Sequence, residues 1–422
     1  MHVVSDDPEV RRLVNLIAET VTANGGLIHP DLIVNHDGAS LWISLPRAAN
    51  PHADDCLDKP QPDAPALLVI PNELHIPVTK LDWVPSGENL AYRGSTEHLT
   101  EPQRTILDAM VALFNAIDKV RVIGQGYARH ALDDDADDGD PELLALIREA
   151  RPGFGRASGA TGDGLAAGST VRPSDPGPTE AATPARRPPP DLPGDSPAHT
   201  VVRSRLRSEM GEGDEGPIGF FMPMIDMLNH HPYGSRYERT DDGAWLIRVH
   251  HPTPGDQVFV RYNKADALGV ALSLGYFEPD ARFVASVACE FELAPIGHVQ
   301  VRGVSASRRR LPAPRVERTD DGLTLSGVVL EHGPRDALAM LLAMPLRSLL
   351  PDASAAEVES LTDRLLAAIV AANVDFYTRL AALCAPDWDA ATDTDALYPS
   401  GPLRPMMGLV ARRQLDLLAE WT

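Results

Sequence analysis

Apolar residues recur at helical spacing near the start of the chain. Val10, Leu13, Ile17 and Val21 fall three or four apart, which predicts an amphipathic helix. Asp7 can cap it, Pro8 suits its first turn, and Asn24-Gly25-Gly26 ends it. Short β-type runs follow at Leu32-Ile33-Val34, Leu41 to Leu45 and Ala66 to Ile70, with turn residues between them. Thr100 to Ile117 returns to helical spacing, with Ile106, Met110, Leu113 and Phe114 on one face.

The pattern then stops. From about Pro152 to Ser196, prolines lie among Gly, Ser, Thr and Ala, and no apolar period survives. Such a stretch cannot bury enough apolar surface to offset chain entropy, so it is expected to be disordered. Order resumes at Thr200. Strand-like runs cover Gly219 to Pro223, Ala244 to Val249 and Gln257 to Tyr262. The style changes after Ala294, and helical patterns dominate from Asp336, above all Ala355 to Leu383 and Arg404 to Trp421. No internal repeat is visible, and no apolar run reaches the roughly 20 residues that would span a bilayer.

Composition adds limits. The 422 residues are 43% hydrophobic and 23% charged, which suits a globular chain of two or three domains. The formal charge of −22 argues against a general nucleic-acid or membrane-surface binder, since phosphate-rich partners repel such a field. A basic protein, a peptide or a small molecule remains as partner. The run Asp133 to Asp140 reads as solvated loop surface. Cys56, Cys289 and Cys384 stand alone, so neither a zinc ribbon nor a disulfide framework is indicated. The start, Met1 to Asp7, lacks a basic region before an apolar stretch, and a cytosolic address is expected.

Two blocks carry the chemistry. Met222-Pro223-Met224-Ile225-Asp226-Met227-Leu228-Asn229-His230 is an apolar run that ends in Asp-x-x-Asn-His. Buried polar side chains need partners, and Asn and His can each both donate and accept. Gly255 to Tyr262 is a turn feeding a strand that ends in tyrosine, and Leu274-Gly275-Tyr276-Phe277 follows. His230-His231 and His250-His251 do not suggest a metal, because neighbours on a strand point to opposite faces. Arg308-Arg309-Arg310 reads as a solvated loop, and no phosphate-binding or dinucleotide fingerprint is present.

Together these blocks resemble the SET-domain protein methyltransferases. The nearest branch is that of the RuBisCO large-subunit lysine methyltransferase, which includes the actin-histidine methyltransferase. That branch carries Pro-x-x-Asp-x-x-Asn-His, then Gly-[Glu/Asp]-[Glu/Gln]-Val-Phe-Ile-x-Tyr-Gly, then a helix ending in Tyr-Gly-Phe. All three occur here in order. Val202-Arg203-Ser204-Arg205 resembles its Ser-Arg element, and Asn24-Gly25-Gly26 and Leu67 to Pro71 resemble its opening.

The resemblance implies an α+β, SET-type fold of short β-sheets, in which the chain end threads through a loop. A long helical or disordered insertion and a C-terminal α-helical, substrate-binding-like domain complete it. The implied boundaries are 1–98, an insertion at 99–199, 200–294 for the cofactor and catalytic motifs, and 295–422 for the helical domain. The implied cofactor is S-adenosylmethionine (SAM). Arg205, Asn229, His230 and the turn Gly38-Ala39-Ser40 would hold it, Arg205 at its carboxylate and Asn229-His230 mainly through backbone. Tyr262 matches the active-site tyrosine. Asp226, Tyr237, Leu274 and Tyr276 fall where the branch contacts its substrate.

The implied activity is N-methylation of a protein side chain, with lysine the first acceptor. The sequence departs from the branch at Ser40, at Leu274 and Tyr276 in the lysine channel, at Asn263 after the tyrosine, and at His231-Pro232-Tyr233 after Asn-His. An altered channel leaves open another acceptor, namely histidine, another amine, a peptide or a small molecule, and a catalytically weak binding protein is the alternative from another class.

Overall fold

The structure is a computed structural model. It describes residues 1–38, 40–49, 63–78, 81–86, 89–117, 140–152, 207–210, 217–253, 255–262, 264–303, 313–331, 335–385 and 403–421. Apart from Pro152, the stretch expected to be disordered lies outside these residues, as do Ala39, Arg205, Asn263 and Arg308-Arg309-Arg310. The described chain mixes helices with short sheets and turns helical towards its end, the α+β architecture expected. It divides into two compact units. One is Met1–Gln125 with Ser169–Tyr262, and the other is Gly126–Gly168 with Asn263–Thr422.

In the first unit, helix α1 (Pro8–Ala23) starts where the Asp7 carboxylate accepts from the N–H groups of Glu9 and Val10, at 2.7 and 3.3 Å. It buries Val10, Leu13, Val14, Ile17, Ala18 and Val21. Its partner α2 (Glu101–Ala116) opens on a capping box between Thr100 and Gln103. Strands β1 (His2–Val4), β3 (Ile33–His36) and β4 (Leu41–Ser44) form one sheet. A second has the order β12 (Glu238–Arg239), β13 (Trp245–Arg248), β5 (Ala66–Ile70) and β2 (Leu27–Ile28), all antiparallel. Strands β6 (Ile76–Pro77), β10 (Pro217–Phe221) and β9 (Arg207–Met210) make a third, and β7 (Asp82–Ser86) with β8 (Asn89–Arg93) a hairpin. Phe221 ends β10 among aromatics, 5.5 Å from Trp83 and 6.0 Å from Phe114 between ring centroids. That packing fixes where the Asp-x-x-Asn-His block begins.

The second unit draws on two separated stretches. Helix α3 (Pro141–Ala150) comes from within the expected insertion, yet Leu143, Leu144, Ile147 and Ala150 belong to the core built by the C-terminal helices. Asp140, the last residue of the acidic run, is not merely solvated. It caps α3 through the Leu143 N–H at 3.1 Å and pairs with Arg404 at 2.5 Å. Arg151 is buried and donates to Asp266, Ala285 and Ser286, at 3.1–3.2 Å. Asp266 in turn caps α4 (Ala267–Leu274). Burial raises the Asp266 carboxyl, and the Arg151 guanidinium opposes that shift.

The region from 295 on is not purely helical. Strands β16 (Cys289–Leu293), β17 (Gly297–Val301), β19 (Gly322–Ser326) and β18 (Arg315–Arg318) form a sheet in that order. Alternation explains it: Val299, Val301, Leu323 and Leu325 point into the core while Glu290, Glu292 and Glu317 face outward. Strands β15 (Phe283–Ala285) and β20 (Val329–Glu331) pair separately. The helices are α5 (Arg335–Leu349), α6 (Ala355–Cys384) and α7 (Leu403–Ala419). The second unit therefore takes in 263–294, a stretch assigned above with the catalytic motifs, because Ala267, Leu268, Ala271 and Leu272 of α4 are buried in this core. Helix α6 contains an 18-residue window of mean hydropathy 1.4, an apolar length the sequence reading did not expect. It carries a stripe of core residues from Val358 to Cys384.

Candidate active site

The Asp-x-x-Asn-His block leaves β10 through a constrained turn. Met224 has φ 63° and ψ −41°, the one non-glycine residue with positive φ among the described residues. The Ile225 N–H donates to the Pro223 carbonyl at 2.7 Å, which closes a three-residue γ-turn of a rarely populated kind. Such backbone persists only where its surroundings hold it, and it gathers at functional sites. Asp226 helps to hold it. Its N–H donates to the Met222 carbonyl, and its carboxylate accepts from the Met222 N–H, both at 3.2 Å. A single 3₁₀ turn, Ile225–Met227, packs against β4 and delivers Leu228 to strand β11 (Asn229–Ser235).

Strand β11 runs parallel to β14 (Phe259–Val260), and Val260 is paired twice. His230 faces it on one side of a register break and Ser235 on the other. Gly234 makes this possible. A Cβ there would sit 2.6 Å from the Val260 carbonyl carbon and 2.8 Å from its nitrogen. The Arg261 N–H then donates to Ser235 O at 2.9 Å, and the Ser235 hydroxyl donates to Arg248 O at 2.5 Å. Residues 229–235 thus clasp the strand that ends at Tyr262. Upstream, β14 is anchored by Leu45 N–H to Asp256 O and Val258 N–H to Ile43 O, at 2.8 and 3.0 Å.

Tyr262 is fixed at three places. Its phenol donates to the Leu228 carbonyl at 2.5 Å, its N–H donates to His230 Nδ1 at 3.0 Å, and its ring lies 5.2 Å from the imidazole at 31°. Since Nδ1 accepts, the neutral ring carries its proton on Nε2. Burial lowers the His230 pKa to about 3; neighbouring His231 adds to this, a hydrogen bond with the Val260 backbone opposes it, and Arg261 contributes a little further. The ring is only 6% exposed, so it stays neutral throughout the neutral range. The Arg261 guanidinium is itself lowered, by burial and by Arg236.

The structure therefore brings together Tyr262, His230, Leu228 and the half-buried Asn229, with Asp226 bracing the turn that leads to them. Gly38 and Ser40 lie in the exposed β3–β4 turn, where the Ser40 N–H donates to Asp37 at 2.8 Å; Ala39 is outside the described residues. Tyr237 stacks edge-on against Trp245 at 6.3 Å, beside the β12–β13 pair. Leu274 ends α4 in the second unit, with Gly275 in the left-handed conformation after it and half-buried Tyr276 next. Sequence reasoning missed Met224, Gly234 and Ser235. None of the three left a signal, since Asn229 to Ser235, with Pro232 inside it, does not read as a strand. Among the described residues no group of three or more His, Cys, Asp or Glu could hold a metal.

No family model and no curated protein matches the chain. Among solved structures, one described as the crystal structure of the SET domain of LSMT bound to lysine and AdoHcy is similar, with a TM-score of 0.34 and 10% identity. The alignment covers 98% of this chain and 90% of that one. Likeness at this level assigns neither family nor activity.

Proposed function

We propose that this protein is a SAM-dependent N-methyltransferase acting on a protein side chain, with lysine as the first acceptor. The observation that carries the reading is the state of Tyr262. Its hydroxyl proton is directed at the Leu228 carbonyl, so the phenol oxygen is an acceptor towards any further partner. An oxygen acceptor held on packed strands suits a reaction in which positive charge passes from sulfur to nitrogen. Two further features suit the cofactor. Gly38 has φ 91° with open space where a Cβ would stand, so backbone there admits close approach. Half-buried Asn229 offers both an amide donor and an acceptor next to the clasp.

The cofactor supplies a methyl group on a sulfonium, and transfer to an amine is an in-line displacement needing no covalent enzyme intermediate. This chain's part is alignment. Asn229, the backbone at His230, Arg205 and the turn Gly38-Ala39-Ser40 would hold the cofactor. Tyr262 and the Leu228 carbonyl would orient the reacting groups, and Asp226 and Tyr237 would receive the acceptor. An apolar channel lowers an amine pKa and so favours its neutral, nucleophilic form.

Titration calorimetry with SAM comes first, and no detectable heat sinks every methyltransferase reading. Incubation with methyl-labelled SAM and cell extract then separates acceptors. Label in protein bands supports a side-chain acceptor, and label in the small-molecule fraction alone points to the altered channel at Leu274 and Tyr276. Tyr262→Phe should lower turnover about 100-fold, the scale of losing one positioned polar group, with SAM affinity nearly unchanged. Wild-type activity in that variant removes Tyr262 from the mechanism.

A further inference from the structure

We infer that the His230 side chain is a positioning residue for Tyr262: its acceptor Nδ1 holds the Tyr262 backbone N–H and so sets where the phenol stands. The inference rests on the proposed function for its kinetic consequence, but not for its geometry. His230 makes two contacts with Tyr262, one through Nδ1 and one through its ring, and a third contact joins the phenol to the Leu228 carbonyl. The third, to Leu228 O, comes from the residue two positions before His230, just ahead of β11. Strand pairing alone does not finish the job. The β11–β14 ladder ends at Val260, and beyond it the Arg261 N–H is taken by Ser235. Past the last paired residue of the ladder, the imidazole Nδ1 accepts the Tyr262 N–H.

The ring must be neutral to do this, because a protonated imidazole has two donors and no acceptor. Burial keeps it so. A group that acts this way touches no reacting atom. It sets the angle and depth of one that does, and misplacement of about 1 Å can cost about 100-fold in rate.

The two amides test the point, since they copy different ring nitrogens. Asn places its oxygen near the position of Nδ1, whereas Gln reaches the position of Nε2. In His230→Asn, kcat for methyl transfer should stay within about threefold of wild type, and in His230→Gln it should fall about tenfold to 100-fold, with KM for the acceptor and Kd for SAM changed far less. A merely structural role would not separate the two, so equal kcat values overturn the inference. A second measurement does not depend on activity or on either variant folding. In wild-type protein labelled with ¹⁵N at histidine and tyrosine, the hydrogen bond should give a nitrogen–nitrogen coupling between His230 Nδ1 and the Tyr262 amide. Absence of that coupling, or a proton on Nδ1, also overturns it. A wild-type protein that binds no SAM defeats the proposed function instead, and the coupling alone then decides whether Nδ1 holds Tyr262.

Discussion

Glu278 gives the sharpest stability prediction. It lies fully buried in the second unit, where its carboxylate oxygen Oε1 accepts the Asp280 N–H at 3.0 Å. Burial pushes its pKa up to about 8, the Asp280 charge adds slightly, and the Asp280 N–H and Arg413 pull the other way. The folded state therefore binds a proton that the unfolded chain, with an ordinary carboxyl near 4.5, has released. Its stability contribution is fully present below pH 4.5 and is lost as pH rises towards about 8, at up to about 1.4 kcal/mol per pH unit. Glu278→Gln keeps the Oε1 acceptor and cannot ionise. Relative to wild type, the variant should gain about 4 kcal/mol between pH 5 and pH 8, where three pH units lie inside the window. For a unit of this size that is roughly 2–4 °C of melting temperature per kcal/mol. Denaturant unfolding at both pH values, with hydrogen exchange in peptides from α4 and α7 reporting on the second unit, measures it. Parallel stability–pH curves for the two proteins would refute the burial argument, since a solvated Glu278 contributes no slope.

Three further outcomes follow from the same kind of reasoning. The first unit should respond to acid in the opposite sense, because the lowered His230 pKa makes the unfolded state bind more protons. Stability is complete above pH 6.5 and should drop by about 2 kcal/mol at pH 5, read as lost exchange protection in residues 229–262 of wild type and retained protection in His230→Asn. Gly234→Ala pushes a methyl into the Val260 backbone and should cost about 2–4 kcal/mol while opening the clasp, so its denaturation midpoint should fall and Tyr262 amide protection with it. Arg151→Met strands the Asp266 charge in the core and should cost about 3–5 kcal/mol, partly recovered at low pH or by adding Asp266→Asn; an unchanged melting curve would refute a paired buried charge.

What was legible in the sequence is what neighbours in the chain decide. Helices α1 and α2 follow from apolar spacing, and α1 also from its cap at Asp7. The block from Met222 to His230 stood out because Asp, Asn and His interrupt an apolar run. The long-range choices were not legible. The acidic run ends in a helix cap because Arg404, 264 residues later, supplies a partner that no local pattern announces. The sheet formed by β16, β17, β19 and β18 alternates over only four or five residues a strand, too few to outweigh the helical stretches that follow. At the site, the γ-turn at Met224 defies propensity, since a methionine is not expected at positive φ. The double pairing of Val260 needs a strand partner that lies more than twenty residues away.

The two buried ionisable groups show how differently such residues can be explained. Glu278 in the folded state costs stability at neutral pH, and a glutamine would fill the same space without that cost. His230 costs nothing at neutral pH, because its ring is already uncharged there; its penalty appears only in acid. An apolar residue at 230 would spare the acid penalty but would leave the Tyr262 N–H without its acceptor, which costs about 1–3 kcal/mol if that N–H is shut off from water. Stability at neutral pH thus selects a small set of acceptors at this position, and His and Asn both belong to it. The imidazole differs from Asn in adding a flat ring against the phenol, 5.2 Å away. If that ring contact matters beyond the hydrogen bond, His230→Asn should keep the backbone coupling geometry yet leave the Tyr262 ring flipping faster in aromatic NMR spectra. A ring as rigid as in wild type would assign the positioning of Tyr262 to the hydrogen bond alone.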